Sequence, residues 1–568
     1  MSISVLEPRD KSCLVSTNLI PVIANQKFYR NARKITHFQK SDRSDKSDLS
    51  DLSDLSDFTE WGNYFQSIPY TQINMQFFPN KGFMNRTMNT VLHDVFCKGI
   101  SLEKKAQFTK AKMLYEDILR HATDEMDLEK ARYRMADIDD LIKEKAIYQR
   151  IDENAKRVLT EIGINIIDNE PLMDILIEAD AIDFNNDTAI FIPLKLDYIN
   201  YCLEKVPRKM SGDPGMNTFG TGATSPFLKR KDDDKLLPAN REEYDIIIHT
   251  IGEQQDVVGI FSLPVACDKS ISLFEIAKQM EKNYQGLKMI TTNTMCDDEA
   301  AYLKGKDFWI DGTSLLTSLT PMNNMIAPFL RSARIGNNLL LIDQSIAGIS
   351  GPGSPESFLT QNHAQVLFMM IIAQTVNPGV SCIHCGIPSV VASDGTLSYS
   401  SPHQTFINAA LARVNTWITN FPSAQTGGST SLSDVTFQAM LDSDLSRNTL
   451  RKYGVHIVRH AMGALGSLNF FSLEKFVADC ERERSARIRF DAMPEDIGMI
   501  PMYFPPDEQA LEGIREITEK GNAKNADHTL KNVDSFRQWY DNICKSAKNK
   551  LYYPHLNDTL AMGQNLNY

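Results

Sequence analysis

Ser423-Ala424-Gln425-Thr426-Gly427-Gly428-Ser429 and, further on, His460-Ala461-Met462-Gly463-Ala464-Leu465-Gly466 decide how this chain is read. In each, an apolar strand-like run gives way to a glycine-rich loop, the junction at which ligands bind in chains that alternate strand and helix. Working outward, apolar runs stand near Thr218–Gly220 and at Val257–Leu263, Leu287–Thr292, Ser314–Ser318, Leu339–Asp343, Val380–Cys385, Thr416–Phe421 and His456–Val458, with helical periodicity between them. Eight β/α units over ~250 residues predict an α/β fold, a (β/α)8 TIM-type barrel from about Asn165 to Asn469 with an N-terminal helical extension. A doubly wound open sheet is the competing arrangement.

The 568 residues are 42% apolar and 23% charged, which reads as a soluble globular protein. A formal net charge of −12 argues against a general nucleic-acid binder. The longest apolar run, Val366–Ala373, is too short to span a bilayer, and Met1–Leu19 lacks an apolar core behind a basic start. A cytoplasmic protein is expected, and nine scattered cysteines agree as reduced thiols. The Ser-Asp-Leu repeat within Ser41–Phe58 cannot bury an apolar face, so residues 1–90 are expected to be a disordered leader. Residues 91–163 read as a helical extension, its last helix lined by Ala155, Val158, Leu159 and Ile162 and stopped at Gly163. Residues 164–568 then hold the barrel and C-terminal helices.

In a barrel the residues closing these runs converge on one mouth. They include Gln344, His384, Cys385, Gln425, Thr426, Arg459 and His460, with few charges and no carboxylate pair of the glycosidase kind. Cys382-Ile383-His384-Cys385 looks like a metal knuckle but has no second ligand pair at suitable spacing, so no metal is expected. Alternation on a strand sends Cys382 and His384 to one face and Cys385 to the other. Phe219, Phe261, Tyr399 and Phe421 are candidates for an aromatic wall around a cation.

Several segments, taken in order, resemble the trimethylamine:corrinoid methyltransferases and their relatives that act on quaternary amines. Gln361-Asn362-His363-Ala364 and Asn377-Pro378-Gly379 are similar to a family helix and its exit. Ser398-Tyr399-Ser400-Ser401-Pro402, Gly427-Gly428, His460-Ala461 and Ser472-Leu473-Glu474-Lys475 continue the match. The likeness covers roughly Asn154–Tyr540. Val390-Val391-Ala392-Ser393 departs from it, standing where the family often has Met-Asp-Met-Arg.

The resemblance implies methyl transfer from a methylated amine, such as glycine betaine or trimethylamine, to the Co(I) of a separate corrinoid protein. This chain would then bind no cofactor of its own and would work as a homo-oligomer. A chain that reads through in standard residues points to a quaternary amine. His460 and His384 are the expected catalytic residues, and Gln425, Arg459, Tyr399, Phe219, Phe261, Phe421 and Gln344 the expected substrate contacts. The rival reading is a barrel whose departures mark a decayed site and which serves as a binding or interaction protein.

Overall fold

A ring of eight short parallel strands organises this computed structural model. It describes residues 81–166, 169–182, 191–210, 218–222, 224–230, 236–267, 271–291, 295–316, 318–321, 323–391, 397–399, 401–491 and 507–520. The chain divides into Met1–Met84 and Asn85–Tyr568. All but the end of the first unit, the Ser-Asp repeat included, lies outside the described residues.

The strands are β1 (Thr218–Thr221), β2 (Ile260–Ser262), β3 (Leu287–Thr291), β4 (Phe308–Leu316), β5 (Asn338–Asp343), β6 (Cys382–Gly386), β7 (Ala424–Thr426) and β8 (Ile457–Met462). Neighbours pair in parallel from β1 through β6, β8 pairs with both β1 and β7, and so the run of strands is unbroken from β6 round to β7. A parallel bridge between His384 and Ser423, with the His384 N–H donating to Pro422 O at 2.8 Å, joins those two ends. The sheet is therefore a barrel and not an open sheet.

Two expected strands move. Thr416–Phe421 is not a strand: Val414–Thr419 is a π-helical turn, and the seventh strand is Ala424–Thr426. Packing overrides β-propensity there, because Trp417 takes the ring edges of Phe108 and Tyr148 at 4.7 and 5.7 Å. The fourth strand begins at Phe308 and not at Ser314.

Alternation along the strands separates two apolar layers. Ile260, Leu287, Met289, Trp309, Leu340, Ile342, Ile383, Cys385, Ala424 and Ile457 cluster inside the ring. Phe219, Phe261, Phe308, Ile310, Leu341, Cys382 and Val458 belong to the outer cluster, which the helices cover.

The helices are α1 (Lys81–Lys104), α2 (Phe108–His121), α3 (Glu125–Arg157), α4 (Glu170–Glu178), α5 (Leu196–Lys205), α6 (Arg241–Gly252), α7 (Leu273–Asn283), α8 (Asp297–Leu303), α9 (Asn323–Ile335), α10 (Pro355–Val376), α11 (Pro402–Arg413), α12 (Phe437–Lys452), α13 (Leu473–Asp491) and α14 (Ala510–Lys520). Helix α3 ends in a π-helical turn at Val158–Ile162. Gly163 stops it with φ +88°, where an added Cβ would stand 2.4 Å from the Ile192 carbonyl carbon.

Helix α10 starts with Ser354 as cap and Pro355 in its first turn, and it is buried from Pro355 to Gln374. It has no solvent face because the barrel lies on one side while α3, α5 and α14 pack on it too. Among the described residues, two ion pairs and a hydrogen bond fasten α3 to the barrel helices. Arg150 grips Glu356 with two hydrogen bonds of 2.6 and 2.8 Å, Asp152 accepts from His363 at 3.0 Å, and Glu144 pairs with Arg413, both 2% exposed. Arg413 also stacks over Trp417 and Tyr453 at 4.4 and 4.1 Å.

Replacing Arg413 with Met should cost about 3–5 kcal/mol, because it strips a buried carboxylate of its cation. The Arg413→Met, Glu144→Gln double variant should lose markedly less. Urea denaturation of both variants measures the difference.

Candidate active site

Strands β4 and β8 stand four places apart in a ring of eight, so they face each other across the lumen. Trp309 and Ile457 point inward, and alternation turns Asp311 and Arg459 inward as well. The two meet: Arg459 Nη2 donates to Asp311 Oδ2 at 2.5 Å, with side chains 6% and 11% exposed. Arg459 Nη1 also donates to the Cys385 Sγ of β6 at 3.4 Å.

Burial pushes the Asp311 carboxyl above the usual carboxylate range, and the guanidinium, which proteins cannot deprotonate, pulls it back. Burial pushes the Cys385 thiol up to about 11, so it is a neutral thiol at physiological pH. Tyr399 packs with the lumen cluster, its phenol raised by burial against a hydrogen bond with Ser389 and the Arg459 charge.

Several buried polar atoms on and just after β7 and β8 have no hydrogen-bond partner among the described residues. Thr426 is in register with Arg459 on the neighbouring strand, and its Oγ1 has no partner among the described residues. The same holds for Ser429 Oγ, both amide atoms of Gln425 and both ring nitrogens of His460. An orphaned buried polar atom costs on the order of 1–3 kcal/mol and calls for an explanation such as a ligand. His460 is 1% exposed and holds φ +57°, a strained conformation for a residue with a Cβ. Burial and the neighbouring Arg459 hold its pKa well below the usual histidine value, so it is neutral at physiological pH.

The structure distributes the expected site residues unevenly. Arg459 and Tyr399 lie in the lumen, and Gln344 is exposed at the end of β5. Gln425 follows the inward Ala424 and alternates to the outer face.

His384 does not reach the mouth, because Ile383 and Cys385 occupy the inward positions of β6. It lies in a buried outer chain: His384 Nε2 is 2.9 Å from His363 Nδ1, His363 Nε2 is 3.0 Å from Asp152, and Lys156 is 3.0 Å from Asp152. Burial and then His363 depress the His384 pKa well below the ordinary value.

Phe219, Phe261 and Phe421 form no cage. They pack in the outer layer, Phe219 under Arg451 at 4.6 Å, Phe261 edge-on to Tyr284 at 5.6 Å, and Phe421 under Arg208 at 4.2 Å. Nor is the mouth free of carboxylates. Asp311 lies ahead of the apolar run at Ser314–Ser318, and the signal that points to it is Phe308-Trp309-Ile310-Asp311, itself an apolar run closed by a charge. Cys385 and Thr426 were legible as strand-end residues, and only the register shows that they face Arg459.

The family model for trimethylamine methyltransferase (MTTB) matches residues 310–550, a span that contains Asp311, Cys385, Tyr399, Thr426, Arg459 and His460. Over residues 310–550 the chain is similar to the trimethylamine methyltransferase family. A glycine betaine methyltransferase of Desulfitobacterium hafniense (strain Y51) is 24% identical over 454 residues, covering 73% of this chain and 86% of that protein. Among solved structures, the Methanosarcina barkeri monomethylamine methyltransferase aligns with a TM-score of 0.39 at 12% identity, over 73% of this chain and 94% of that one. Dihydropteroate synthase from Stenotrophomonas maltophilia aligns with a TM-score of 0.31 at 10% identity, over 49% and 94%. The barrel rests on its own closed ring of strands, not on superpositions this loose.

The helix that carries the family-like Gln361-Asn362-His363-Ala364 is tied to the end of β5. Asp343 points outward there and accepts from Ser345 Oγ at 2.7 Å, from Gln365 Nε2 at 2.9 Å, and from Asn362 Nδ2. Burial nonetheless pushes its carboxyl up to about 7, against the pull of Ser345 and Gln365.

The folded chain therefore binds a proton here that an unfolded chain, with its ordinary carboxyl, has already lost. Stability due to this group should be present below about pH 4 and should fall as pH rises toward 7. Asp343→Asn should flatten that part of the curve. Thermal midpoints taken every half unit from pH 4 to pH 8 on both proteins check it.

Proposed function

We propose that the chain is a cytoplasmic methyltransferase that moves a methyl group from a betaine-like quaternary amine to the Co(I) of a corrinoid carried by a separate protein docking at the barrel mouth. The observation that carries this reading is the lumen itself: an ion pair, Arg459 with Asp311, with the unpartnered Thr426 hydroxyl in register beside Arg459. Such a floor has both signs of charge and suits a zwitterion. The acceptor supplies the nucleophile, and this chain supplies the binding, orientation and dryness.

The chemistry asks for little proton transfer, since a quaternary ammonium leaves as a neutral amine. Positioning and exclusion of water then dominate. Arg459 has further N–H groups to offer a substrate carboxylate, and Asp311 gives the ammonium a counter-charge. Tyr399 and Trp309 are the aromatic rings of the lumen cluster and give the cation ring faces, each worth ~0.5–2 kcal/mol. Thr426 and neutral His460 can hydrogen-bond the polar end. Cobalamin stays with the partner in this scheme. An intact ion pair and unsatisfied polar groups favour it over a decayed barrel.

The test is purified protein with cob(I)alamin and a panel of methylated amines, following methylcobalamin by absorbance. Turnover is expected with a quaternary, carboxylate-bearing amine in preference to trimethylamine, and no turnover with any amine rejects the reading. Thr426→Val, which keeps shape and removes one hydroxyl, should raise KM roughly ten- to hundredfold with an unchanged thermal midpoint. His460→Ala should lower kcat/KM by a similar factor.

A further inference from the structure

Behind the loops that leave β7 and β8 lies a buried charge cluster that pairs within itself, and with Asp444 through Arg447, and also reaches the loop backbones. Asp479 Oδ2 on α13 accepts from Lys475 Nζ at 2.6 Å and from the Gly463 N–H at 2.9 Å. Lys475 Nζ also donates to the Gly428 carbonyl at 3.4 Å. From α12, Arg447 Nη1 donates to the Ala461 carbonyl at 3.0 Å and lies 3.4 Å from Asp479 Oδ1, while Ser446 Oγ accepts from the Gly428 N–H at 2.7 Å. The side chains of Lys475 and Asp479 are 0% exposed, and that of Arg447 is 2% exposed.

These contacts bracket His460. Gly428 and Gly463 hold φ +87° and +82°, and His460 sits between their loops at +57°. The loops approach so closely that a Cβ on Gly428 would fall 2.4 Å from the Ala461 carbonyl oxygen and 2.5 Å from its Cα.

A buried ion pair is by itself weak evidence for stability, since apolar side chains of similar size often replace one at no cost. A cluster that served only stability would have no reason to direct a carboxylate, an ammonium, a guanidinium and a hydroxyl at the peptide groups of one pair of loops. We propose that Lys475, Asp479, Arg447 and Ser446 are positioning residues that hold the strained His460 turn and the Gly427-Gly428 loop in the geometry the site needs. This rests on the proposed function only in taking the barrel mouth as the site.

Two double variants separate positioning from packing. Lys475→Met with Asp479→Asn removes both charges but keeps an amide oxygen to accept from the Gly463 N–H. Lys475→Met with Asp479→Leu fills the same space and removes the acceptor. Hydrogen exchange by mass spectrometry over 424–432 and 457–466, kcat and KM for the best amine, and thermal midpoints are read on both.

The Leu double is expected to keep its midpoint within about 5 °C of the Asn double. Its exchange in both segments should nonetheless rise at least about tenfold, and its kcat fall about tenfold. The Asn double should stay within about threefold of the parent in both readouts. Unchanged exchange in the Leu double, or equal losses in both doubles that follow their midpoints, overturns the proposal. Should the Leu double not fold, Ser446→Ala takes its place, and faster exchange confined to 424–432 is expected, with no change overturning the idea. Exchange needs no substrate, so an inactive parent rejects the proposed reaction without deciding this point.

Discussion

Arg459 and Asp311 meet because the sheet closes on itself. In an open sheet β4 and β8 would lie far apart and their inward charges would need separate partners. In the ring they are opposite, and a 2.5 Å ion pair spans the lumen. Both charges are taken from water by the apolar cluster of Ile260, Met289, Trp309, Leu340 and Ile383 around them. Asp311 could not stay charged there without Arg459, and Arg459 would be buried at far greater cost without Asp311, since an isolated buried charge is far more costly than a paired one. The pair thus specifies a register for two strands and sets the electrostatics of the mouth.

The outer shell follows a similar logic. The joint between α3 and the barrel helices is partly ionic, Glu144 with Arg413 and Arg150 with Glu356, and Asp152 adds a hydrogen bond with His363. Such pairs add directionality that apolar packing lacks, because a carboxylate and a guanidinium are satisfied only in one relative placement of their helices. The His363–His384 contact carries that placement through α10 to β6, whose next residue, Cys385, touches Arg459. The N-terminal helical layer is in this way connected to the lumen by a chain of direct contacts.

Much of the fold was legible because β/α alternation leaves a one-dimensional trace. Short apolar runs bounded by glycine and polar residues located six of the eight strands closely, and the helical N-terminal segment and its stop at Gly163 followed from periodicity. The misplaced runs share a cause. Val414–Thr419 is rich in strand-favouring residues, yet Trp417 is claimed by Phe108 and Tyr148, far away in sequence. Phe308–Leu316 has a charge and a glycine in its middle, which hid its first half.

The sequence by itself determined which residues close the strands, and so brought Arg459, His460, Cys385 and Thr426 into view. It also determined that Cys382 and His384 share a face opposite to Cys385, since alternation is a local property of an extended chain. Which of those faces looks into the lumen was decided only by the tertiary structure, because inside and outside are defined by closure of the ring and by what packs on it. That is why His384, Phe219, Phe261 and Phe421 proved to be packing residues, and why Asp311 joined the site: its partner stands on the opposite strand, a long way off in the chain, and only the closed barrel brings the two within reach.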